Sequence, residues 1–331
     1  MNLIKKVIEE NLTTKKPIWL MRQAGRYLPE FREIRVKNQN FVELCLNQNL
    51  VPEITLQPLK RFELDAAIIF SDILMIPYGI GQKVEFKKNF GPLLGDINKV
   101  NLDNLSEELF INKLSPIYNS MKSLSYLIKD KKSLIGFIGG PWTVLVYMLN
   151  KQSPKKKLHE EILGSKNINK IINTIIKFSK IHIKSQIDNG ANLIQIFESW
   201  AGIADTKQLG QLIYEPNVEL VDYVKSLGVP VICFPREIND YLEYINIVNP
   251  SVISIDYRVD INIISKKVKI PVQGGLDPNF LLKDKETLKK QSLKILDTFK
   301  DHPYIFNLGH GVLPQTDPNM VDYLVNLVKK Y

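Results

Sequence analysis

A chain of 331 residues, 44% apolar and 24% charged, has the make-up of a core-forming protein and the size of one large barrel or two ordinary domains. Its formal net charge of +9 favours acidic partners. Many lysines, however, fall on expected helix faces (Lys155, Lys156, Lys157, Lys289, Lys290), and nucleotide composition alone can enrich Ile, Lys and Asn, so the charge is no argument for nucleic-acid binding. The two cysteines, Cys45 and Cys233, exclude a disulfide framework and fit a reducing compartment.

The N-terminal MNLIKKVIEENLTTKKP is amphipathic and lacks the apolar core of a signal peptide, and no stretch reaches the length of a membrane span, so a cytoplasmic protein is expected. The first apolar run, PIWLM from Pro17, leads into MRQAGRYLPEFREIR. Arg22, Arg26, Arg32 and Arg35 are planar, permanently charged forks suited to carboxylate or phosphate, and Gly25 lets backbone approach a ligand. A bound polyanion is the functional reading of this segment; a solvated basic helix face is the bland one.

The second run, AAIIFSD from Ala66, ends at Ser71–Asp72, where an aspartate can also simply cap its loop. A long excursion from Pro77, PYGIGQKVEFKKNFGPLLGD, has the length of a functional lid or binding loop. LIGFIGG from Leu134 ends at Gly139–Gly140 and is followed by Pro141, Trp142 and Tyr147, the tyrosine lying in an apolar TVLVYML stretch that could bury it in the core. A helical pattern over 167–190 precedes LIQIFES from Leu193, which ends at Glu198, Ser199 and Trp200; the serine could instead bond to local backbone. VPVICFP from Val229, VISID ending at Asp256, and IPVQGG ending at Gly274–Gly275 come next. A second helical pattern over 285–301 precedes YIFNLGH from Tyr304, which ends at His310. Gly309 and Gly311 flank that histidine and suggest close backbone approach, although many histidines are only satisfied core groups. His159, His182 and His302 carry no assigned role.

Eight apolar runs, each followed by a loop and a helical pattern, predict a (β/α)8 TIM barrel, a single domain spanning residues 1–331. A doubly wound open sheet is the alternative, weakened because no Gly-rich dinucleotide fingerprint follows the first strand. In such a barrel the site lies at the carboxyl ends of the strands, where the polar residues above would meet. The sequence has no Walker loop, no H-E-x-x-H, no Cys/His cluster at zinc spacing and no serine nucleophile elbow. A site of arginines, a carboxylate, a tyrosine, a serine and a histidine is expected, without metal or cofactor.

These residues carry a resemblance. MRQAGRYLPEFR and GFIGGPWTVLVYML closely resemble the two signatures of the uroporphyrinogen decarboxylase family, and FSDILMIPYGIGQKVEF, QIFESWAG, QGGLDP and NLGHGVLPQTDP are similar to further family segments in family order. The resemblance implies a (β/α)8 barrel, a homodimer, no cofactor, and a tetrapyrrole substrate, uroporphyrinogen, whose four acetate side chains are decarboxylated to leave coproporphyrinogen. By motif position it implies substrate-binding roles for Arg22, Arg26, Asp72, Tyr147, Ser199 and His310, with Asp72, Arg22 and Tyr147 as the catalytic group. For the proton that the reaction needs, Arg22, Arg26, Tyr147, His310 and a bound water all remain candidates. Phe137, Trp142 and Phe197 could line a water-excluding pocket or only pack.

One segment departs from the family pattern. Where the family usually has a glycine-containing loop after the fifth strand, this chain has FPREIND, and Arg236 and Glu237 either touch substrate or fold away. Two other classes stay open: a zinc-dependent methyltransferase on a related barrel, disfavoured because no histidine lies two residues from either cysteine, and a nucleic-acid-binding protein, for which no recognisable module exists.

Overall fold

Apolar, β-branched runs become strands because only a strand buried on both faces can use every side chain. Among the described residues nine strands are defined: β1 (Ala66–Ile68), β2 (Val84–Lys87), β3 (Gly91–Leu94), β4 (Ser133–Gly139), β5 (Leu193–Glu198), β6 (Val231–Pro235), β7 (Val252–Ile255), β8 (Val272–Gly274) and β9 (Tyr304–Ile305). The computed structural model describes residues 2–87, 90–154 and 167–331; Lys155, Lys156, Lys157 and His159 lie outside the described residues. Seven strands form one parallel sheet in the order β1-β4-β5-β6-β7-β8-β9, and β4 and β6 are buried along their whole length. Helices return the chain between them, and Asp240, Asp260, Asp284 and Asp317 each cap one with a side-chain oxygen on a first-turn N–H. Lys289 and Lys290 are exposed on the helix Lys285–Thr298, as expected.

The eighth stave is shorter than the sequence suggests. PIWLM forms no strand of its own but one parallel bridge, Ile18 to Phe306. Phe306 N–H donates to Pro17 O (2.7 Å) and Trp19 N–H to Phe306 O (3.3 Å), which attaches the segment beside β9. On the other side Asp65 N–H donates to Ile18 O (2.8 Å), and Ile18 N–H donates to the Asp65 carboxylate (2.7 Å). A side chain thus replaces the strand carbonyl that would close the ladder with β1. Lys329 holds the other Asp65 oxygen at 2.6 Å. The ladder stops there because the chain turns at once, with Gln23 N–H donating to Leu20 O (2.9 Å).

Inside the barrel Trp19 donates its indole N–H to Gln273 (2.8 Å), and Gln273 donates to Gln195 (3.3 Å) and Ser254 (3.2 Å), all four fully buried. This polar layer ties the short stave to strands on the far side. The excursion from Pro77, read from its length as a lid or binding loop, holds regular structure. The helix Met75–Gly79 leads into an antiparallel β2–β3 hairpin. Gln82 fastens it by donating to Gly95 O (2.8 Å) and Met148 O (3.1 Å), and Phe86 meets Phe41 edge-on at 4.6 Å.

If Asp65 closes the barrel, Asp65→Asn should destabilise the fold by about 1–3 kcal/mol, because either the Ile18 N–H or the half-buried Lys329 ammonium loses its acceptor. Urea unfolding measures this; a loss below about 0.5 kcal/mol, the scatter of ordinary surface changes, would show that the closure carries no weight.

Candidate active site

The turn after the short stave sets Arg22 at φ +60°, a left-handed conformation that costs an arginine roughly 1 kcal/mol. Surrounding bonds over-determine it: Met21 N–H donates to Asn307 Oδ1 (2.9 Å), Val312 N–H to Met21 O (2.9 Å), and the Gln23 amide to Ala66 O (3.0 Å). A β-carbon on Gly311 would lie 2.3 Å from Arg22 Cδ, so this glycine is required by the arginine's stem. Gly309 lies equally close to the backbone of Tyr257. Gly25 serves the turn, its open face 3.1 Å from Arg22 O. Of the four arginines, Arg32 is spent on the carbonyls of Arg26 and Tyr27, and Arg35 on Asn38 O and the Phe41 ring. Arg22 and Arg26 remain at the mouth, their side chains accessible.

Asp72, Tyr147, Arg26 and a further arginine, Arg236, all act on Arg22 electrostatically. Enclosure lowers the proton affinity of Arg22, with Arg26 and Arg236 pulling the same way and Asp72 and Tyr147 opposing. Asp72 follows β1, and Leu74 N–H donates to it (2.8 Å), so it does cap its loop as well as face the arginine. Burial pushes its carboxyl up to about 6, more than the Leu74 N–H and Arg22 pull it down. Burial likewise takes His310 down to about 4, reinforced by Arg22 and Arg236, so its imidazole is neutral at physiological pH. Tyr147, on the helix Pro141–Asn150, meets Trp200 edge-on at 6.1 Å. Ser199, just past β5, is half-buried, and its hydroxyl bonds to none of the described residues.

Other strand-end residues are structural. Glu198 is fully buried and accepts from Trp142 N–H (3.0 Å), Thr143 N–H (2.9 Å) and the Thr143 hydroxyl (2.6 Å), filling the N-terminus of the helix that carries Tyr147. Burial pushes its carboxyl up to about 7 against those bonds. Gly140 is required there, since a β-carbon would lie 2.2 Å from the Glu198 carboxyl carbon. Asp256 is consumed by Glu237 N–H (2.7 Å), the Tyr241 hydroxyl (2.9 Å) and Arg258 N–H (2.8 Å). Trp142 is core, its indole bonded to Trp200 O (2.9 Å). Phe137, Phe197 and Phe234 sit on neighbouring strands with rings 5.6 and 6.4 Å apart, and the register pairs Phe137 with Gln195, a member of the interior polar layer. They therefore form an apolar row beside that layer. Gly274 (φ +93°) lets the backbone pass Ile255 O, a β-carbon there lying 2.6 Å away.

Arg236, whose loop the sequence left between touching substrate and folding away, stands first after β6, acts electrostatically on Arg22 and His310, and bonds Glu237. Among the described residues no cluster of three His, Cys, Asp or Glu could hold a metal. A cleft of about 530 Å³ opens at the opposite end of the barrel, between Asn11, Lys225, Asn249 and Pro271, and none of the candidate residues lines it.

A family model described as uroporphyrinogen decarboxylase matches residues 1–331. The uroporphyrinogen decarboxylase of Wolbachia pipientis wMel is 41% identical over 332 residues, covering 99% of this chain and 98% of that protein. That of Rickettsia felis is 38% identical over 329 residues, covering 96% and 94%. Among solved structures, a methyltransferase from Methanosarcina mazei matches with a TM-score of 0.78 at 12% identity, covering 100% of this chain and 99% of that one, a likeness of fold alone.

Because Asp72 binds its proton more tightly folded than the usual 3.8, its contribution to stability is present at low pH and lost as pH rises through about 6. At pH 7.5 the buried anion is a cost. Asp72→Asn, which keeps an acceptor for Leu74 N–H, should melt no lower than the parent protein at that pH; a clear drop in melting temperature would mean that pairing with Arg22 outweighs burial.

Proposed function

The chain belongs to the uroporphyrinogen decarboxylase family, and from that premise we propose how its mouth residues divide the work. It is a carboxy-lyase of porphyrin and haem biosynthesis that removes carbon dioxide from the acetate side chains of uroporphyrinogen. In each round a proton adds to the ring carbon beside the acetate and the pyrrole becomes a cationic iminium. The bond to the carboxyl carbon then breaks, its electron pair enters the ring, and carbon dioxide leaves. A proton then adds to the former methylene carbon and the proton first added to the ring carbon is lost, so the acetate becomes a methyl, the pyrrole is restored, and one proton is taken up for each carbon dioxide released. The enzyme must stabilise transient positive charge on the ring and hold the other carboxylates still.

What supports the reading is that Asp72, Tyr147 and His310, from three separate stretches of chain, all couple electrostatically to Arg22. Asp72, ionised above about pH 6, accepts from pyrrole N–H groups and offsets the iminium charge. Arg22 and Arg26 hold substrate carboxylates as planar forks. Ser199, with its free hydroxyl, and neutral His310 add hydrogen bonds. Burial, Arg22 and Arg236 hold the His310 imidazole neutral before substrate binds. Arg22, Arg26, Tyr147 and a bound water stand close to the reacting ring as sources of the proton, and Arg22 lies beside Asp72 and Tyr147. The whole chain acts as one catalytic domain, needs no metal or organic cofactor, and works as a cytoplasmic homodimer; no described helix is long and apolar enough to cross a membrane. A zinc-thiolate methyltransferase would need exposed, acidic thiols. Cys45 and Cys233 are buried, which pushes the first thiol well up and the second to about 12.

The test is anaerobic incubation of chelator-dialysed protein with uroporphyrinogen, followed by chromatography of the oxidised products. Conversion to coproporphyrinogen is expected, with a rate that falls as pH drops through about 6, and with Asp72→Asn slower by about a hundredfold or more. No conversion, or an Asn variant as fast as the parent, would overturn the assignment or the role of Asp72 respectively.

Arg22→Lys and Arg26→Lys keep the charge but lose the planar fork. Each should weaken substrate binding and let partly decarboxylated intermediates accumulate. Parental kinetics and product distribution in both would reduce these arginines to surface charge.

A further inference from the structure

The loop after β6 carries a cluster that the family motifs do not account for. Arg236 is the first residue past the carboxyl end of that strand, and its own backbone N–H is tied to Glu198 O (3.1 Å) at the end of β5. Its side chain is only 18% exposed, bonds Glu237 through Nη2, and leaves its buried Nε without a partner. Glu237 has φ +62°, a left-handed conformation that glycine adopts freely and glutamate does not. Backbone and packing hold it there: Asp256 accepts from its N–H (2.7 Å), and Gly202 lies against its β-carbon, 2.6 Å from where its own would stand. The carboxylate of Glu237 is shared, because Arg258 reaches the same oxygen at 3.3 Å.

Resting on the decarboxylase reading, we propose that Arg236 is a third carboxylate-binding arginine of the substrate mouth, parked on Glu237 in the empty enzyme and transferred to a peripheral carboxylate of the tetrapyrrole when it binds. The transfer leaves no charge unpaired. Glu237 keeps Arg258, and the substrate carboxylate meets a fork whose Nε is otherwise unsatisfied. Nη2 and Nε lie on one edge of the guanidinium, the edge that takes a carboxylate in bidentate fashion. Arg236 also lies close enough to Arg22 and His310 to shift the proton affinity of both, so it faces the same substrate as they do.

Three variants test this, with folding followed by thermal melting. Arg236→Gln should raise KM for uroporphyrinogen about tenfold to a hundredfold, the worth of a lost charge-assisted pair, with a smaller change in kcat. Glu237→Gly, which suits the φ of that position and frees Arg236, should leave KM unchanged or lower it. The double variant should behave as Arg236→Gln. A KM for Arg236→Gln within twofold of the parent value, or an equal rise in KM in Glu237→Gly, would overturn the inference, the latter by showing that the pair merely shapes the loop. A parent enzyme that leaves uroporphyrinogen unchanged overturns the decarboxylase reading and this inference with it; a fully active parent beside an unaltered Arg236→Gln overturns this inference alone.

Discussion

The backbone of residues 17–21 is hydrogen-bonded to Phe306 on one side and to Asp65 on the other, and the geometry of the mouth depends on that double attachment. The same residues are the last stave of the barrel and the root of the arginine segment. Because the attachment is one bridge long, it relies on side chains to do what a ladder would: Asp65 for Ile18, Asn307 for Met21, Gln273 for the indole of Trp19. Lys16 adds a further anchor just before the stave, its ammonium donating to the carbonyls of Phe299, Lys300 and His302 at 2.8–2.9 Å. A regular strand would run past this point and carry its side chains alternately inward and outward. A strand that ends in a turn instead places Arg22 across the mouth, against Gly311 and within reach of Asp72.

A second clamp works on the other wall. Glu198 joins the end of β5 to the first turn of the helix Pro141–Asn150, and that helix carries Tyr147. The β2–β3 hairpin is fastened to the far end of the same helix through Gln82 and through Leu94 N–H, which donates to Lys151 O (2.7 Å). The helix is therefore held at both ends, and the tyrosine's position is a consequence of two contacts that involve neither the tyrosine nor a substrate.

Most of the barrel was legible because strands buried on both faces leave continuous apolar runs, and the strand ends marked Asp72, Ser199 and His310 as candidates along with the structural Glu198 and Asp256. Arg22 and Arg26 were legible as forks near a glycine. The misreadings have distinct causes. PIWLM has the composition of a strand, yet its ladder depends on the turn at Leu20–Gln23 and on a carboxylate from Asp65, neither of which changes the apolar pattern. The excursion from Pro77 did contain a hairpin signal, the alternation of Val84, Glu85, Phe86 and Lys87 before Gly91, but its length drew the reading toward an irregular loop. Trp142 was open to either a pocket or a packing role, and only the structure shows it turned into the core. Glu198 clamps amides more than fifty residues earlier in the chain, a relation no local pattern records. Arg236 was visible, but whether it faced the mouth depended on the left-handed turn at Glu237, where the side chain gives no hint of such a conformation.

The charge balance at the mouth follows from what the proposed substrate demands. A tetrapyrrole that brings many carboxylates would, by itself, drive Asp72 toward its protonated form, and burial already holds that carboxyl near 6. A protonated Asp72 could not offset a cationic ring. The arginines thus have a task besides binding: each guanidinium that pairs with a substrate carboxylate cancels a charge that would otherwise raise Asp72 further. The demand also changes as the reaction proceeds, since every round removes one carboxylate from the substrate. Fixed cations sized for the first intermediate would overcompensate the last. An arginine that can return to a carboxylate of the protein, as Arg236 can to Glu237, lets the mouth follow the falling charge without leaving a guanidinium unpaired, and a neutral His310 supplies hydrogen bonds without adding to the balance.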